Sequence, residues 1–362
     1  MLKRVSIQNF KSLKDVTLDL QKVNLLIGPN NSGKTNFLKA LEFIGPERKS
    51  KKYSINEIAF AKKSYNKITI NLAWPSENEE FNFKVIKFAF DGGELIDTRG
   101  HSQNSQPDEV ILGHYLKFPI SLSDLEKIKI YKPDPNKLDK PAPVGRGDES
   151  VVADASNLIA FFDRIRDEYP SAFAQIKSDL AKCIPEFTEI NFQNVESTPE
   201  LIKQFGDKTF KRIGLTNGKQ KTIYWADELS EGTLYFIALL CIINQPNPPK
   251  LLLLEEPEKG IHPRRIREVM DFIFRLAEER DVQIILTSHN EHVLDDFATR
   301  PEAVFVFDKD EEGATYVRNL QKDIIEPTNQ RNRELGLDDI DLTTNLSENW
   351  LYGLLGGVPS IP

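Results

Sequence analysis

The chain has 362 residues, of which 40% are hydrophobic and 28% charged, and its formal net charge at pH 7 is −8. This composition is ordinary for a globular protein of one large or two average domains, and the acidic balance argues against a surface built throughout for nucleic acid, although it leaves room for a local basic strip. The two cysteines, Cys183 and Cys241, suggest neither a disulfide framework nor a metal cluster. The sequence shows no signal-peptide core and no apolar run long enough to span a bilayer, so we expect a cytoplasmic protein with no membrane partner.

The N-terminal part of the chain predicts strands around one glycine-rich loop. Residues 2–27 alternate between apolar and polar and then run apolar, which is typical of strands separated by short turns. The loop GPNNSGKT follows, and then NFLKALEFI has the spacing of a helix. Residues 66–74 and 81–90 alternate again and predict an antiparallel pair, whereas residues 91–150, rich in Gly, Pro, Asp and Ser, predict loops.

The C-terminal part predicts helices and a parallel sheet. SNLIAFFDRIRDEY and PSAFAQIKSDLAKCI have helical patterns, and short strands around 187–193 and 208–225 follow them. A βα alternation then begins, with helices at 231–244, 263–280 and 290–298 and strands at 250–255, 282–288, 303–308 and 314–319. This alternation predicts a largely parallel sheet covered by helices.

Residues 28–35, GPNNSGKT, match the pattern G-x-x-x-x-G-K-[ST] between a predicted strand and a predicted helix. Glycines in such a turn let backbone N–H groups converge on phosphate oxygens, and the helix N-terminus adds the positive end of a dipole. Lys34 can reach the β- and γ-phosphates of ATP, and the Thr35 hydroxyl can ligate Mg²⁺. A solvated turn is the plain alternative, but the strand–loop–helix context favours a phosphate loop. The nucleotide-binding residues predicted here are Asn30, Asn31, Ser32, Gly33, Lys34, Thr35 and Asn36.

Two glutamates stand at the end of the apolar stretch KLLLLEEP, residues 250–257. Four leucines predict a buried central strand, and α/β sheets bind their ligands beyond the carboxyl ends of such strands. We predict that Glu255 holds Mg²⁺ with Thr35, and that Glu256 orients and deprotonates the attacking water. Such a pair alone is usually a solvated turn, but the P-loop in the same chain reverses that preference.

VQIILTSHN, residues 282–290, is a second buried strand that ends in polar residues. His289 at its end is predicted to contact the γ-phosphate or the water beside it, which makes it a catalytic candidate together with Glu256 and Lys34. A histidine that only satisfies a turn is the alternative.

DELSEGTLYF, residues 227–236, supports two interpretations that share the same physics. Ser230 is a good N-cap for a buried helix. The exposed N–H groups at Ser230, Glu231 and Gly232, with the helix dipole behind them, can equally bind a γ-phosphate. If the order and spacing of these segments are those of an ABC-type head, this phosphate is not the one held by the P-loop of the same chain.

Taken in order, GPNNSGKT, LSEGT, LLLLEEPEKGIHP and TSHN resemble an ABC-type ATPase of the RecF/SMC/OLD branch, here as a stand-alone predicted ATPase without a coiled coil. The resemblance implies an α/β fold: a P-loop head with a mixed β N-terminal lobe, a helical insertion and a mainly parallel C-terminal sheet. It also implies that VSIQNFKS, with Lys11 and Ser12, lies near the nucleotide. The sequence departs from the usual pattern in LSEGT, where LSGGQ is common, and in Glu255, where an aspartate is usual.

The expected regions are residues 1–90, a nucleotide-binding lobe with the P-loop; 91–225, a loop-rich and helical insertion; 226–320, a lobe with the signature, the carboxylates and the histidine; and 321–362, a tail. The cofactors implied are ATP and Mg²⁺. The partners implied are a second copy, forming a homodimer around sandwiched ATP that could assemble further, and a separate effector, commonly a nuclease, in a defence or toxin–antitoxin-like system. DNA is a further candidate partner.

Three other functions remain open at this point. A RecF-like repair ATPase would bind DNA directly, a non-hydrolysing scaffold would only oligomerise with nucleotide, and a transporter ATPase would need a membrane subunit. Arg264, Arg265 and Arg267 in the first turns of the predicted helix 263–280 either face an anion or pair locally with Glu258 or Glu268. Asp308 and Asp310, in DKDEEGA, are predicted to form a hairpin turn rather than a metal site.

Overall fold

The computed structural model of the chain describes residues 1–45, 55–62, 67–75, 83–91, 94–102, 111–112, 122–125, 127–145, 149–259, 261 and 263–357. The strands in chain order are β1 (Arg4–Phe10), β2 (Leu13–Asp19), β3 (Val23–Ile27), β4 (Ile68–Pro75), β5 (Phe83–Asp91), β6 (Glu94–Ser102), β7 (Ile111–Leu112), β8 (Ile130–Tyr131), β9 (Ala142–Val144), β10 (Phe187–Val195), β11 (Thr209–Asn217), β12 (Ile223–Trp225), β13 (Leu251–Glu255), β14 (Gln283–Ser288), β15 (Val304–Lys309) and β16 (Thr315–Asn319). The helices are α1 (Lys34–Phe43), α2 (Ile55–Ile58), α3 (Leu122–Leu125), α4 (Pro135–Leu138), α5 (Leu158–Glu168), α6 (Pro170–Cys183), α7 (Pro199–Phe205), α8 (Glu231–Asn244), α9 (Pro263–Glu279), α10 (Glu291–Asp295), α11 (Glu326–Glu334) and α12 (Leu346–Leu351).

The chain forms two compact units, and each is assembled from segments distant in sequence. The first comprises Met1–Ile130, Lys250–Glu258 and Phe274–Pro362, and the second comprises Tyr131–Pro249 and Lys259–Ile273. The expected division of the sequence at residues 90, 225 and 320 stays a prediction.

The mixed sheet of the first unit has the strand order β16-β15-β3-β14-β13-β8. Strands β15, β3, β14 and β13 run parallel, and β16 returns antiparallel to β15. Every residue of β3 and β14 is buried, as are the four leucines of β13. Parallel strands covered on both faces need such continuous apolar runs, so the prediction of a mainly parallel sheet is confirmed. Strand β3, from the N-terminal part of the chain, lies between β15 and β14.

An antiparallel sheet of the same unit has the order β2-β1-β4-β5-β6-β7. Strands β4 and β5 pair as their alternating sequences predicted. The prediction that residues 91–150 form loops is wrong for β6, which pairs with β5 from Asp91↔Glu94 to Phe83↔Ser102. Its sequence, ELIDTRGHS, contains Gly and Asp, which are depleted in strands. The hydrogen bonds between β6 and β5 therefore outweigh the low intrinsic preference of this sequence for a strand. The shorter elements β7, α3, β8, α4 and β9 also fall in this region.

Helix α1 is fixed in the apolar core of the first unit. Phe37, Leu38 and Leu41 are fully buried in a cluster with residues from both sheets. The ring of Phe37 packs edge-on against Phe307 of β15, with ring centroids 6.0 Å apart. Close packing of this kind tolerates little displacement, so the first turn of α1 is held at a defined place beside the mixed sheet.

The second unit combines helices with a sheet of order β10-β11-β12, in which β9 also pairs with β11. The two predicted helices after residue 155 are confirmed as α5 and α6. Helix α8 is apolar on all sides, and its residues from Gly232 to Asn244 are all buried. Asn244 at its end donates to Asp179 of α6 over 3.2 Å. Within the described residues, no helix has the combination of length and apolar character that crossing a bilayer requires.

Candidate functional site

The carboxyl ends of four parallel strands bring the predicted catalytic segments of the first unit together. Ile27, the last residue of β3, pairs with Ser288 of β14 on one side and with Val306 of β15 on the other. Glu255 of β13 pairs with Thr287 of β14. The P-loop, the two glutamates and the histidine segment therefore leave the sheet at the same edge, where α/β proteins bind ligands.

The P-loop adopts backbone conformations that depend on its glycines. Gly28 has a φ of 147°, Asn31 of 66° and Gly33 of 109°. A Cβ at Gly28 would overlap the carbonyl oxygen of Phe307, and a Cβ at Gly33 would overlap the hydroxyl of Thr315. Only glycine satisfies both the dihedral angles and the close approach at these two positions.

A cavity of about 300 Å³ lies over the loop. It is lined by Asn30, Asn31, Ser32, Gly33, Lys34, Thr35, Asn36, Lys39, Glu256 and Thr287. All seven residues predicted from the P-loop motif to bind nucleotide are thus among its walls. Lys39, one turn further along α1, is a cation that the motif did not single out.

The ammonium of Lys34 is held inside the loop. Its Nζ donates to the carbonyl oxygens of Gly28 over 2.6 Å and of Pro29 over 2.8 Å. Burial lowers the pKa of Lys34 to about 8, an effect that the charges of Glu256 and Glu258 partly oppose. A phosphate oxygen would offer this ammonium a stronger, charged acceptor than the two carbonyls.

The hydroxyl of Thr35 donates to Oε1 of Glu255 over 2.9 Å. This contact places two oxygen ligands of the kind that Mg²⁺ prefers side by side. Ser32 Oγ and Thr287 Oγ1, which belong to residues lining the cavity, are buried and have no hydrogen-bond partner among the described residues. Unsatisfied polar atoms at a cavity fit a polar ligand, so the residues present suit a magnesium nucleotide. In the described part of the chain no group of three or more His, Cys, Asp and Glu side chains could hold a metal ion.

Glu256 and His289 contact each other beside the cavity. His289 Nδ1 lies 3.3 Å from Glu256 Oε1, and the histidine side chain is 48% exposed while that of the glutamate is 19% exposed. Glu256 has a left-handed backbone with a φ of 50°, and its N–H donates to the carbonyl of Thr287 over 3.0 Å. A strained conformation that the neighbouring strand enforces points to a function for the side chain.

Glu258 is a third carboxylate at this edge, and the sequence did not predict it as a site residue. It is 6% exposed, and Oε1 accepts from Ser288 Oγ over 2.5 Å. Burial raises the pKa of Glu258, opposed by the Ser288 hydrogen bond. Its Oε2 has no hydrogen-bond partner among the described residues. The sequence contains Glu258 as the last residue of EEPE, residues 255–258. A glutamate after a proline at the end of a strand is typical of a solvated turn, so the pattern alone did not indicate a site residue.

A relay of hydrogen bonds fixes the P-loop from behind. Asn36 Nδ2 donates to Ser12 Oγ over 2.9 Å, Ser12 Oγ lies 2.8 Å from Thr315 Oγ1, and Thr315 Oγ1 donates to the carbonyl of Ser32 over 2.8 Å. Ser12 therefore lies next to the loop, although it is not among the cavity walls; its place near a bound nucleotide stays a prediction. Thr315, on the far strand of a hairpin, was not predicted.

Lys11, predicted with Ser12, has a left-handed backbone with a φ of 51°, and its N–H donates to the carbonyl of Ile58 over 2.6 Å. Burial and then the charge of Lys39 lower its pKa. Lys11 is not among the described residues that line the cavity.

The predicted signature lies in the second unit, at the N-terminus of α8. Ser230 Oγ accepts from the N–H of Thr233 over 3.2 Å and thus caps the helix. Nη1 of Arg265 on α9 lies 3.4 Å from Ser230 Oγ, so a cation stands beside this N-terminus. Ser230 is exposed, whereas Gly232 is buried. A Cβ added at Gly232 would lie 3.8 Å from a methyl carbon of Ile261.

Two of the remaining candidates, Arg267 and Asp310, are surface residues. Arg267 is exposed at the start of α9, and the side chain of Arg264 lies outside the described residues. Asp310 Oδ1 accepts from the N–H of Ala314 over 2.8 Å in the turn between β15 and β16. The prediction that DKDEEGA forms a hairpin turn is confirmed.

A phosphate loop between a parallel strand and a core helix, with paired carboxylates and a histidine at the same sheet edge, defines an ABC-type ATPase head. The chain belongs to the family described as "AAA domain, putative AbiEii toxin, Type IV TA system", which matches residues 23–295. It is a member of the RecF/SMC/OLD branch of nucleotide-binding ATPases.

Three similar proteins illustrate the relationship. The OLD nuclease of Thermus scotoductus is 21% identical over 360 residues, which are 92% of this chain and 67% of that protein. The DNA replication and repair protein RecF of Caldanaerobacter subterraneus is 29% identical over 131 residues, which are 35% of this chain and 34% of RecF. The crystal structure of an Smc head bound to the C-winged helix domain of ScpA aligns with 88% of this chain and 96% of that chain, at 17% identity and a TM-score of 0.53. The last likeness concerns the fold alone.

Proposed function

We propose that the chain is an ATP-hydrolysing head that dimerises on ATP and drives or gates a separate effector. The observation that carries the proposal is a pair of contacts at one edge of the mixed sheet. Thr35 donates a hydrogen bond to Glu255, and Glu256 is in contact with His289. These pairs supply the metal-binding and water-activating groups that phosphoryl transfer to water requires.

Each side chain has a defined role in this mechanism. The N–H groups of residues 30–36 and the Lys34 ammonium bind the phosphates of ATP. Thr35 and Glu255 would hold Mg²⁺, which supplies neutralisation of the charge on the β- and γ-phosphates. Glu256 accepts the proton of the attacking water as general base, and His289 orients Glu256 and can donate to the γ-phosphate.

The dimer would form because a second copy completes each nucleotide site. The N–H groups at Ser230 and Gly232 begin a helix of 14 residues, so the positive end of a dipole accompanies them. Arg265 adds a full positive charge beside Ser230. Ser230, the exposed cap of this N-terminus, is placed to meet the γ-phosphate held by the P-loop of another copy.

Trapping of the closed dimer tests this proposal. Glu256→Gln keeps the shape of the side chain but removes the base, so it should lower the rate of phosphate release by about 10²- to 10⁴-fold. With saturating Mg-ATP the variant should elute as a dimer in size-exclusion chromatography with light scattering. Lys34→Ala, which removes the phosphate-binding ammonium, should stay monomeric under the same conditions. A monomeric Glu256→Gln protein that binds ATP would refute the dimer.

The effector is inferred from the family and its relatives. The family description names a toxin of a toxin–antitoxin system, and the OLD nuclease extends beyond the 67% of its length that this chain covers. We expect the product of a neighbouring gene to copurify with the Glu256→Gln protein and ATP, and to release when wild type hydrolyses ATP. Copurification that does not depend on nucleotide would argue against gating.

Direct DNA binding, as in a repair ATPase, is the second candidate. The identity with RecF and the exposed Arg267 beside Arg265 on α9 favour it. ATP-dependent binding to double-stranded DNA that falls after Arg267→Glu would support this candidate, with Glu268→Gln as the neighbouring control. Equal phosphate release from wild type and Glu256→Gln would instead support a scaffold that does not hydrolyse ATP.

A further inference from the structure

The segment from Leu346 to Gly357 is attached at two places close to the candidate site. The N–H of Ser347 donates to Oδ1 of Asp295 over 2.9 Å. Asp295 is on α10, which begins two residues after His289. This segment therefore contacts the helix that directly follows the predicted γ-phosphate sensor.

The other end of the segment lies against the strands beside the P-loop. Leu355 is fully buried, and its carbonyl accepts from Nη2 of Arg318 on β16 over 3.2 Å. The buried Trp350 donates its indole N–H to the carbonyl of Gly357 over 3.2 Å. These bonds fix the main chain of residues 355–357 rather than their side chains.

Gly356 and Gly357 have no space for a side chain. Their φ angles are 70° and 66°, a region that favours glycine. A Cβ at Gly356 would overlap the Arg318 guanidinium, and a Cβ at Gly357 would lie 2.5 Å from Cγ1 of Val306 and 3.6 Å from Cα of Gly28. Gly28 is the first residue of the P-loop, so main chain approaches main chain at this point.

Gly28, which Gly357 approaches, is hydrogen-bonded to the predicted phosphate-binding lysine, Lys34. The carbonyl oxygen of Gly28 is one of the two acceptors of the Lys34 ammonium. A shift of Gly28 would move this acceptor and the N–H groups that follow it. Phosphate binding depends on the positions of these groups, and small displacements in such sites have large effects.

We propose that residues Leu355–Gly357 are a positioning element for the P-loop, which sets the affinity for nucleotide from outside the nucleotide cavity. The inference rests on the proposed role of the P-loop in binding ATP. It explains why the sequence LLGGVP has two consecutive glycines where the chain has already left the catalytic segments. The element acts through Gly28, and none of its side chains takes part in the chemistry.

The experiment compares Gly357→Ala with Gly336→Ala in the full chain. Gly336 is a matched control, because it also has a left-handed φ, 73°, but a Cβ there would meet nothing within 4 Å. Both substitutions introduce similar backbone strain, and only the first presses on Val306 and the P-loop. All measurements are made well below the melting temperature of each variant.

The expected result has two independent readouts. Gly357→Ala should raise the Kd for a fluorescent ATP analogue and the KM for ATP by about tenfold, with a much smaller effect on kcat, because the loop binds ground state and transition state alike. Amide hydrogen exchange of the P-loop peptide without nucleotide should become faster in Gly357→Ala. Gly336→Ala should change neither. Unchanged Kd and exchange in Gly357→Ala would overturn the proposal.

The second readout separates this inference from the proposed function. If wild type failed to bind ATP, the proposed function would fall, whereas faster exchange at the P-loop in Gly357→Ala would still support the positioning contact. If Gly357→Ala did not fold, Trp350→Phe would replace it, because phenylalanine keeps an aromatic ring but removes the bond to Gly357. That variant should show the same two effects at smaller size, and their absence would count against the proposal.

Discussion

The hydroxyl of Ser288 donates to Oε1 of Glu258 over 2.5 Å, and the same Ser288 oxygen accepts from the N–H of Asn290 over 2.9 Å. The turn that carries His289 is therefore fixed to a buried carboxylate that neither the P-loop motif nor the strand pattern predicts. His289 in turn contacts Glu256. We infer that Glu258 positions the histidine without touching a phosphate.

Glu258→Gln should reveal the buried carboxyl through its pH dependence. Burial raises the pKa of Glu258, so the folded state holds a proton that the unfolded state releases above the ordinary value of 4.5. This stabilising contribution is complete below that value and is lost as pH rises through the folded pKa. The melting temperature of wild type relative to Glu258→Gln should therefore fall from pH 4 toward neutral pH, measured by calorimetry with Glu311→Gln, an exposed carboxylate, as control. A difference that stays constant with pH would contradict the prediction.

Lys34 should couple nucleotide binding to proton uptake. Its pKa of about 8 means that part of the population is neutral in mildly alkaline solution, and a bound phosphate favours the charged form. Affinity for ADP should accordingly fall by about tenfold for each unit of pH above 8, until the pKa of the bound state is reached. Isothermal titration calorimetry in two buffers of different ionisation enthalpy measures the protons directly. Affinity that is flat between pH 7.5 and 9.5 would show that the lysine stays charged.

The lowered pKa of Lys34 also has a consequence for the free protein. Folding releases its proton between pH 8 and the ordinary value of 10.5, so the stability of the folded state should rise across that interval. Below pH 8 the buried ammonium opposes folding.

Thr315→Val should weaken the P-loop without altering the cavity walls. Valine has nearly the same shape but loses the hydroxyl that donates to Ser32 and contacts Ser12. We expect a loss of about 1–3 kcal/mol in the free energy of unfolding, because buried partners remain unsatisfied, together with weaker nucleotide binding. Thr328→Val is the control, because the hydroxyl of Thr328 donates to the carbonyl of Ile324 and takes no part in the relay behind the P-loop. Equal nucleotide affinity in both variants would exclude a role for the relay.

Ser230→Asp should separate the two interpretations of the signature. Asp caps helices as well as Ser does, so the stability of α8 should be preserved. A carboxylate facing a γ-phosphate is repulsive, so ATP-dependent dimerisation in the Glu256→Gln background should be lost. Ser230→Asn, which caps without charge, should retain the dimer. If Ser230→Asp still dimerised, the cap would be the whole role of this residue.

The sequence predicted the parts of the site that are local in the chain. GPNNSGKT, LLLLEEP and TSHN each lie at the end of a buried strand. Their continuous apolar runs are typical of parallel strands, and the carboxyl ends of parallel strands meet at one edge of the sheet. The bounds of α8 followed from the N-cap at Ser230 and the apolar run after it. The antiparallel pair predicted at residues 66–74 and 81–90 from alternation is found at Ile68–Pro75 and Phe83–Asp91.

The residues that were missed depend on contacts between distant segments. Thr315 meets Ser32 across 283 positions, and nothing in its own neighbourhood indicates that partner. Glu258 reads as a polar turn residue because burial of a carboxylate depends on the surrounding fold. Strand β6 forms because β5 offers an unpaired edge, although its own composition favours a loop.

The bond between Ser12 and Thr315 joins residues 303 positions apart, and it completes the relay behind the P-loop. During synthesis, the GPNNSGKT segment leaves the ribosome long before this threonine exists. A nascent chain that ends before Thr315 therefore has the motif but lacks its support. We expect ATP to stabilise only chains in which Thr315 has already been made, so its contribution to folding would come late in synthesis.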